Sequence, residues 1–115
     1  MSTEYEIYNL NNGIELAGGN QDLALELFNM LINQLPEHQS AIRSYLLTGD
    51  IESLKKHTHK LHGSSQCCGT PALRNAAQAL ESSINTNNLE LLESNVADVL
   101  TAIKNLLAFD TQTIQ

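Results

Sequence analysis

The sequence predicts an all-α fold, an antiparallel up-and-down four-helix bundle with a short extra N-terminal helix. Three observations carry that expectation. Hydrophobic residues make up 42% of the 115 but aromatics only 4%, so leucine and alanine supply the apolar content, which favours helix over sheet. Apolar positions recur at spacings of three and four through most of the chain. Only two prolines and six glycines interrupt it, and the connections between periodic stretches are short, which makes successive helices antiparallel neighbours. The length suits a single domain, 1–115, with a folded core at 8–109.

Taken in order, residues 1–8 show no clear pattern. Leu10, Ile14 and Ala17 predict a short first helix, stopped by Gly18-Gly19. Asn20 is placed to cap the second helix, with Asp22 at the positive end of its dipole. That helix carries Leu23, Leu25, Leu27, Phe28, Met30, Leu31, Ile32 and Leu35, which at roughly 100° per residue cover more than half its circumference. One neighbour cannot cover so much, so the first helix is expected to lie over the excess as a lid. Pro36 removes a backbone donor and is expected to kink or split the helix, which resumes through Ala41, Ile42, Tyr45 and Leu46.

Thr48-Gly49-Asp50 ends this element and caps a third helix, 51–66, whose inner face reads Ile51, Leu54, Thr58, Leu61, Ser65. Thr70-Pro71 starts a fourth, with an N-cap residue followed by proline at the first position and Leu73, Ala76, Ala77, Leu80 and Ile84 facing inward. After a turn at 86–88, Leu89, Leu92, Val96, Val99, Ile103 and Leu106 form the most regular stripe of the chain. Residues from Phe109 onward, 110–115 above all, are expected to fray.

Charge narrows the function. Thirteen acidic against six basic residues give a net charge of -7, which repels nucleic acid and anionic membrane surfaces. No apolar stretch approaches the roughly 20 residues of a membrane span, and the acidic start lacks the basic and apolar regions of a signal peptide. Cys67 and Cys68 are adjacent and make a poor disulfide framework, which fits a reducing, cytoplasmic compartment. They read as small core or boundary residues. The default oligomeric state is a monomer.

The chemistry concentrates in residues 55–65. Relative to the apolar stripe of the third helix, His59 points toward solvent. Gly63 follows one turn later on nearly the same line; glycine inside a helix costs about 1 kcal/mol relative to alanine, so it serves either close helix packing or access to the imidazole. Lys55 and Lys56 flank His59 on one side and His62 on the other, with Lys60 next to it, forming a cationic rim. Flanking ammonium groups favour the neutral, nucleophilic imidazole and balance an anion attached to it. His57 points to another side of the helix. His59 and His62 could share a metal ion, but His57 cannot join them and the cysteines stand in no standard ligand spacing, so no metal is expected. Ser64 and Ser65 lack an acid partner or an oxyanion hole and are expected to bond to backbone carbonyls. No phosphate loop or carboxylate cluster provides for ATP.

Thr58-His59-Lys60-Leu61-His62-Gly63-Ser64-Ser65, followed by Gly69, Leu73 and Leu80-Glu81, resembles the signature of histidine-containing phosphotransfer (HPt) domains, from the second helix to the last. The variant His-Lys-Leu-His-Gly-Ser is most similar to the C-terminal HPt domain of tripartite hybrid sensor kinases of the BarA/GacS class. The resemblance implies a phosphorelay intermediate of two-component signalling: His59 accepts a phosphoryl group on Nε2 from an aspartyl phosphate of one receiver domain and passes it to an aspartate of another. Glu81 then accepts a hydrogen bond from the other ring nitrogen, Gly63 provides access, and Ser64 and Ser65 brace the helix. The domain itself is a phosphocarrier rather than an enzyme and holds no cofactor; Mg2+ belongs to the partner receiver. The parent would be a hybrid sensor kinase, anchored in the inner membrane.

Many members of that family carry lysine where this chain has His62, so a fixed positive charge becomes titratable, and Lys55, Lys56 or Lys60 are expected to compensate. Leu25, Phe28 and Ile32 are expected either to be core or, wherever the lid leaves them uncovered, to form the docking patch for the receiver. The competing readings are a helical adaptor without chemistry and a histidine-based metal-binding bundle.

Overall fold

The computed structural model describes residues 5–114, with side chains through Phe109. Among the described residues there are five helices and no strand: α1 (Leu10–Leu16), α2 (Gln21–Thr48), α3 (Ile51–Ser65), α4 (Pro71–Asn85) and α5 (Leu89–Ile114). Each long helix packs on its neighbours in sequence, and α2 closes the ring against α5, while α1 lies on α2. This is the expected four-helix bundle with its extra helix.

The helix starts follow local chemistry. The Asn20 side chain accepts from the Leu23 amide at 3.0 Å, and Asp50 accepts from the Ser53 amide at 3.1 Å, each satisfying a donor that the first turn leaves unpaired. Thr70 stands before α4 as expected but does not cap it. Its hydroxyl donates back to the Ser65 carbonyl at 3.2 Å, tying the end of α3 to the start of α4. Gly49, at φ 73°, closes α2 in the left-handed conformation that glycine adopts without a Cβ penalty.

The core is formed by Phe28, Leu31, Leu35 and Ile42 of α2, Leu54 and Leu61 of α3, Leu73 and Leu80 of α4, and Leu92, Val96, Val99, Ile103 and Leu106 of α5. Burying each of these side chains contributes roughly 1.5–3 kcal/mol. The inner faces read from periodicity on α3, α4 and α5 are the buried ones, except that Ile51 and Ala76 are half-buried and Leu89 at the start of α5 is exposed.

Two expectations are corrected. Pro36 does not split α2, which is one helix of 28 residues; Leu31 and Leu35 before it and His38 and Ile42 after it sit on one buried stripe, so core packing on both arms offsets the missing hydrogen bond. Nor does the last helix end near Phe109: its backbone continues helical through Ile114, while the side chains of 110–114 and all of Gln115, where fraying was expected, lie outside the described residues.

The segment before α1 also belongs to the fold. Asn9 donates its amide to the Gly69 carbonyl at 2.8 Å, and the Ala72 amide donates to the Glu6 carbonyl at 3.0 Å. Gly69, at φ 65°, lies so close to Asn9 and Gly13 that a Cβ there would collide with backbone. Tyr8 stacks on Phe28 with ring centroids 4.1 Å apart and meets Phe109 edge-on at 5.7 Å.

Candidate functional site

His59 stands midway along α3 with its side chain 78% exposed. On α3 the buried positions Leu54, Thr58, Leu61 and Ser65 define the inner stripe, and His59 lies about 125° from its centre at 100° per residue. Two hydroxyls of its inner face bond back to the helix's own carbonyls. Thr58 donates to the Leu54 carbonyl at 2.7 Å and Ser65 to the His62 carbonyl at 2.8 Å, as backbone-bonded serines and threonines do.

Glu81, on the neighbouring helix α4, lies 2.5 Å from Nδ1 of His59 through Oε2. Its other oxygen, Oε1, lies 2.8 Å from Nδ1 of His62. One carboxylate therefore accepts a hydrogen bond from each of two imidazoles. Burial alone would raise the Glu81 carboxyl, but the two histidine hydrogen bonds and the charge of the rings outweigh it and hold it below the usual carboxylate range. An ionised carboxylate only accepts, so both histidines carry their proton on Nδ1. The free nitrogen of His59 is Nε2, on the exposed edge of the ring.

Gly63 decides between its two sequence readings. A Cβ built there would meet nothing within 4 Å, so no helix packs against it and the space beside His59 is open. Lys55 and Lys56 lie on either side of the His59 line and, with Glu52, Glu81 and Asn85, line an open groove around the ring. Ser65 braces the helix end as expected. Ser64 contributes its carbonyl, which accepts the Cys68 thiol at 3.2 Å, and its side chain faces α2.

The structure does not bring every expected residue to His59. His62 is not part of a cationic rim: its side chain is only 16% exposed and turned onto Glu81, because it lies at the α3–α4 seam. Lys60, one residue beyond His59 and so about 100° around the helix, stands on the side of His38, whose ring feels its charge. Leu25, Phe28 and Ile32 form no docking patch, and the core reading holds for two of the three. Phe28 and Ile32 are buried in the core. Leu25 is exposed, but lies about 200° around α2 from Leu27, which faces α3, so it points away from His59. The apolar surface that does adjoin the end of α3 is Leu27 and Met30, with Gln34, beside Ser64 and Cys67. Met30 is 51% exposed and Cys67 is an exposed thiol rather than a core residue. Cys68 is buried, which pushes its thiol up to about 11. Among the described residues, no cluster of three or more metal-ligating side chains is present, and no helix is long and apolar enough to cross a membrane.

His38 was not singled out by its sequence, yet it is buried and its Nδ1 meets that of His57. Its spacing shows where it belongs: it continues the stripe Leu31, Leu35, His38, Ile42.

Comparison with known proteins agrees with this geometry. Residues 26–109 match the family model described as Hpt domain. Sensor protein GacS of Pseudomonas syringae pv. syringae is 37% identical over 75 residues, which are 65% of this chain and 8% of that protein. Signal transduction histidine-protein kinase BarA of Escherichia coli K12 is 32% identical over 91 residues, 78% of this chain and 10% of that protein. The chain thus spans a tenth or less of these curated relatives. The crystal structure of the HPT domain from an Hpt sensor hybrid histidine kinase of Shewanella superposes with a TM-score of 0.87 at 28% identity, over 94% of this chain and 93% of that one. An exposed imidazole oriented by a carboxylate on the middle of a helical bundle, matched over most of the chain, places this protein in the Hpt domain family.

Proposed function

We propose that the chain is a phosphorelay intermediate whose phosphoacceptor is His59, taking the phosphoryl group from an aspartyl phosphate of one receiver domain and giving it to an aspartate of another. The observation that carries this reading is the 2.5 Å contact of Glu81 with Nδ1 of an otherwise exposed ring. With Nδ1 protonated and engaged, the Nε2 lone pair faces the groove. Attack of Nε2 on phosphorus forms the N–P bond as the bond to the donor oxygen breaks, and that oxygen leaves with the electron pair as a carboxylate. The ring gains positive charge in this step, and the Glu81 carboxylate lies against it. Return transfer is the same path reversed.

Lys55 and Lys56 are placed to balance the three phosphoryl oxygens, and the receiver supplies Mg2+ and the remaining charge. The receiver seats over Gly63, with Leu27 and Met30 as the apolar part of its footprint on the far side of α3. Within such a kinase the domain is a carrier that uses no ATP of its own.

Incubation with a phosphorylated receiver domain tests the reading. It should yield one acid-labile, alkali-stable phosphate per chain, abolished in His59→Gln. If no receiver transfers phosphate, the domain is an adaptor; if label persists in His59→Gln, another residue is the acceptor.

A further inference from the structure

His62 is held at both ring nitrogens. Nδ1 lies 2.8 Å from Glu81 Oε1, and Nε2 lies 3.3 Å from the side-chain amide nitrogen of Gln66, one turn further along at i+4. An amide nitrogen only donates, so Nε2 of His62 is the acceptor and its proton sits on Nδ1. The ionised Glu81 carboxylate, which only accepts, requires the same tautomer of His62. The chain of donors and acceptors therefore has one direction: Gln66 to His62, His62 to Glu81 Oε1, with His59 donating to Oε2 from the other side.

The consequence falls on Glu81. A glutamate anchored at one oxygen still rotates about its terminal bonds, and a carboxylate free to turn would release Nδ1 of His59 to water. Anchoring both oxygens, one on a ring that is only 16% exposed, fixes the carboxylate plane. His59 is 78% exposed and its ring is fixed by no other hydrogen bond described for it, so the orientation of Glu81 sets its tautomer.

We propose that His62, itself held by Gln66, is a positioning residue for transfer at His59, fixing Glu81 so that the proton of His59 stays on Nδ1 and Nε2 keeps its lone pair for attack. The proposal rests on His59 being the phosphoacceptor. It explains a histidine at this position by its shape: a ring reaches Glu81 with one nitrogen and accepts from Gln66 with the other, which a lysine ammonium, having no acceptor, does not do.

The test uses phosphoramidate, whose P–N bond breaks with departure of ammonia and which needs no receiver. Labelling of His59 is followed by 31P NMR, and the tautomers of both rings by long-range 1H–15N correlation spectra of 15N-labelled protein. The wild type should show both rings protonated on Nδ1. His62→Phe should move His59 toward the Nε2–H form and slow labelling roughly five- to tenfold, while His62→Asn, which keeps a donor near the Nδ1 position, should remain within about twofold of wild type. Gln66→Ala, at an exposed position that leaves the core untouched, should mix the His62 tautomers and slow labelling about twofold. Wild-type rates and an unshifted His59 spectrum in both His62→Phe and Gln66→Ala would overturn the proposal while leaving the phosphocarrier reading intact. Absence of label from the wild type, or its persistence in His59→Gln, would overturn both.

Discussion

Nδ1 of His38 lies 3.2 Å from Nδ1 of His57, one ring on the buried stripe of α2 and the other at the edge of α3. Such a pair holds one proton between two nitrogens: one ring donates and the other must be unprotonated there to accept. Burial, then the neighbouring charges of His57 and Lys60, lower the His38 pKa from 6.5 against a smaller opposing effect of Glu37. The folded state thus binds this proton more weakly than the unfolded chain. Stability from this site is full above about pH 6.5 and declines as pH falls below it, toward the depressed folded value. Thermal melts should therefore show Tm falling as the pH drops below about 6.5, and His38→Gln should flatten that slope. Glu81, whose carboxyl is lowered from 4.5, loses its contribution only at more acidic pH. Equal slopes in wild type and His38→Gln would mean that another group governs the acid limb.

Gly63 separates stability from function. Because a Cβ there meets nothing within 4 Å, Gly63→Ala should stabilise the free domain by about 1 kcal/mol through helix propensity alone. The added methyl stands where the receiver approaches His59, so transfer from a phosphorylated receiver should fall severalfold while labelling by phosphoramidate is unchanged. Denaturant melts and parallel transfer assays read the two effects. A loss of stability would show that the backbone at Gly63 is under a constraint the helix geometry does not reveal.

Much of this was legible from periodicity, and the exceptions have physical reasons. The inner faces of α3, α4 and α5 are narrow apolar stripes, so spacing alone orients them. On α2 apolar residues cover more than half the circumference, and a wheel so full cannot say which edge α3, α5 or α1 will cover; hence spacing leaves Leu25, Phe28 and Ile32 open between core and surface and does not single out Leu27 and Met30. His62 lies on α3 between the buried stripe and the His59 line. Only the position of α4, which no pattern within α3 encodes, turns it from a rim cation into a partner of Glu81. Tyr8 and its flanking residues have no helical period because nonlocal bonds to Gly69 and Ala72 hold that segment.

The two edges of α2 give a paired test of the receiver footprint. Met30 and Leu25 are both exposed leucine-sized residues, 51% and 38%, but only Met30 adjoins Ser64 and Cys67 at the end of α3. A charge in a docking contact costs its desolvation, so Met30→Glu should weaken receiver-dependent transfer by tenfold or so. Leu25→Glu should leave it near wild type, and neither should alter phosphoramidate labelling. The reverse ranking would move the footprint to the edge of α2 that carries Leu25.

Phe28 marks the boundary between core and surface on that same helix. It is 5% exposed and stacked at 4.1 Å on Tyr8. Truncating it removes a buried aromatic and leaves Tyr8 without its stacking partner, so Phe28→Ala should cost roughly 3–5 kcal/mol of stability. The ring touches no part of the His59 groove, whose lining is Glu52, Lys55, Lys56, Glu81 and Asn85. Below its lowered melting temperature the variant should therefore be phosphorylated by receiver and by phosphoramidate at wild-type rates. Phe28→Leu, which refills most of the volume, should recover much of the lost stability, and urea melts of the two variants measure both steps. A transfer defect in Phe28→Leu without loss of stability would return Phe28 to the docking surface and remove it from the core.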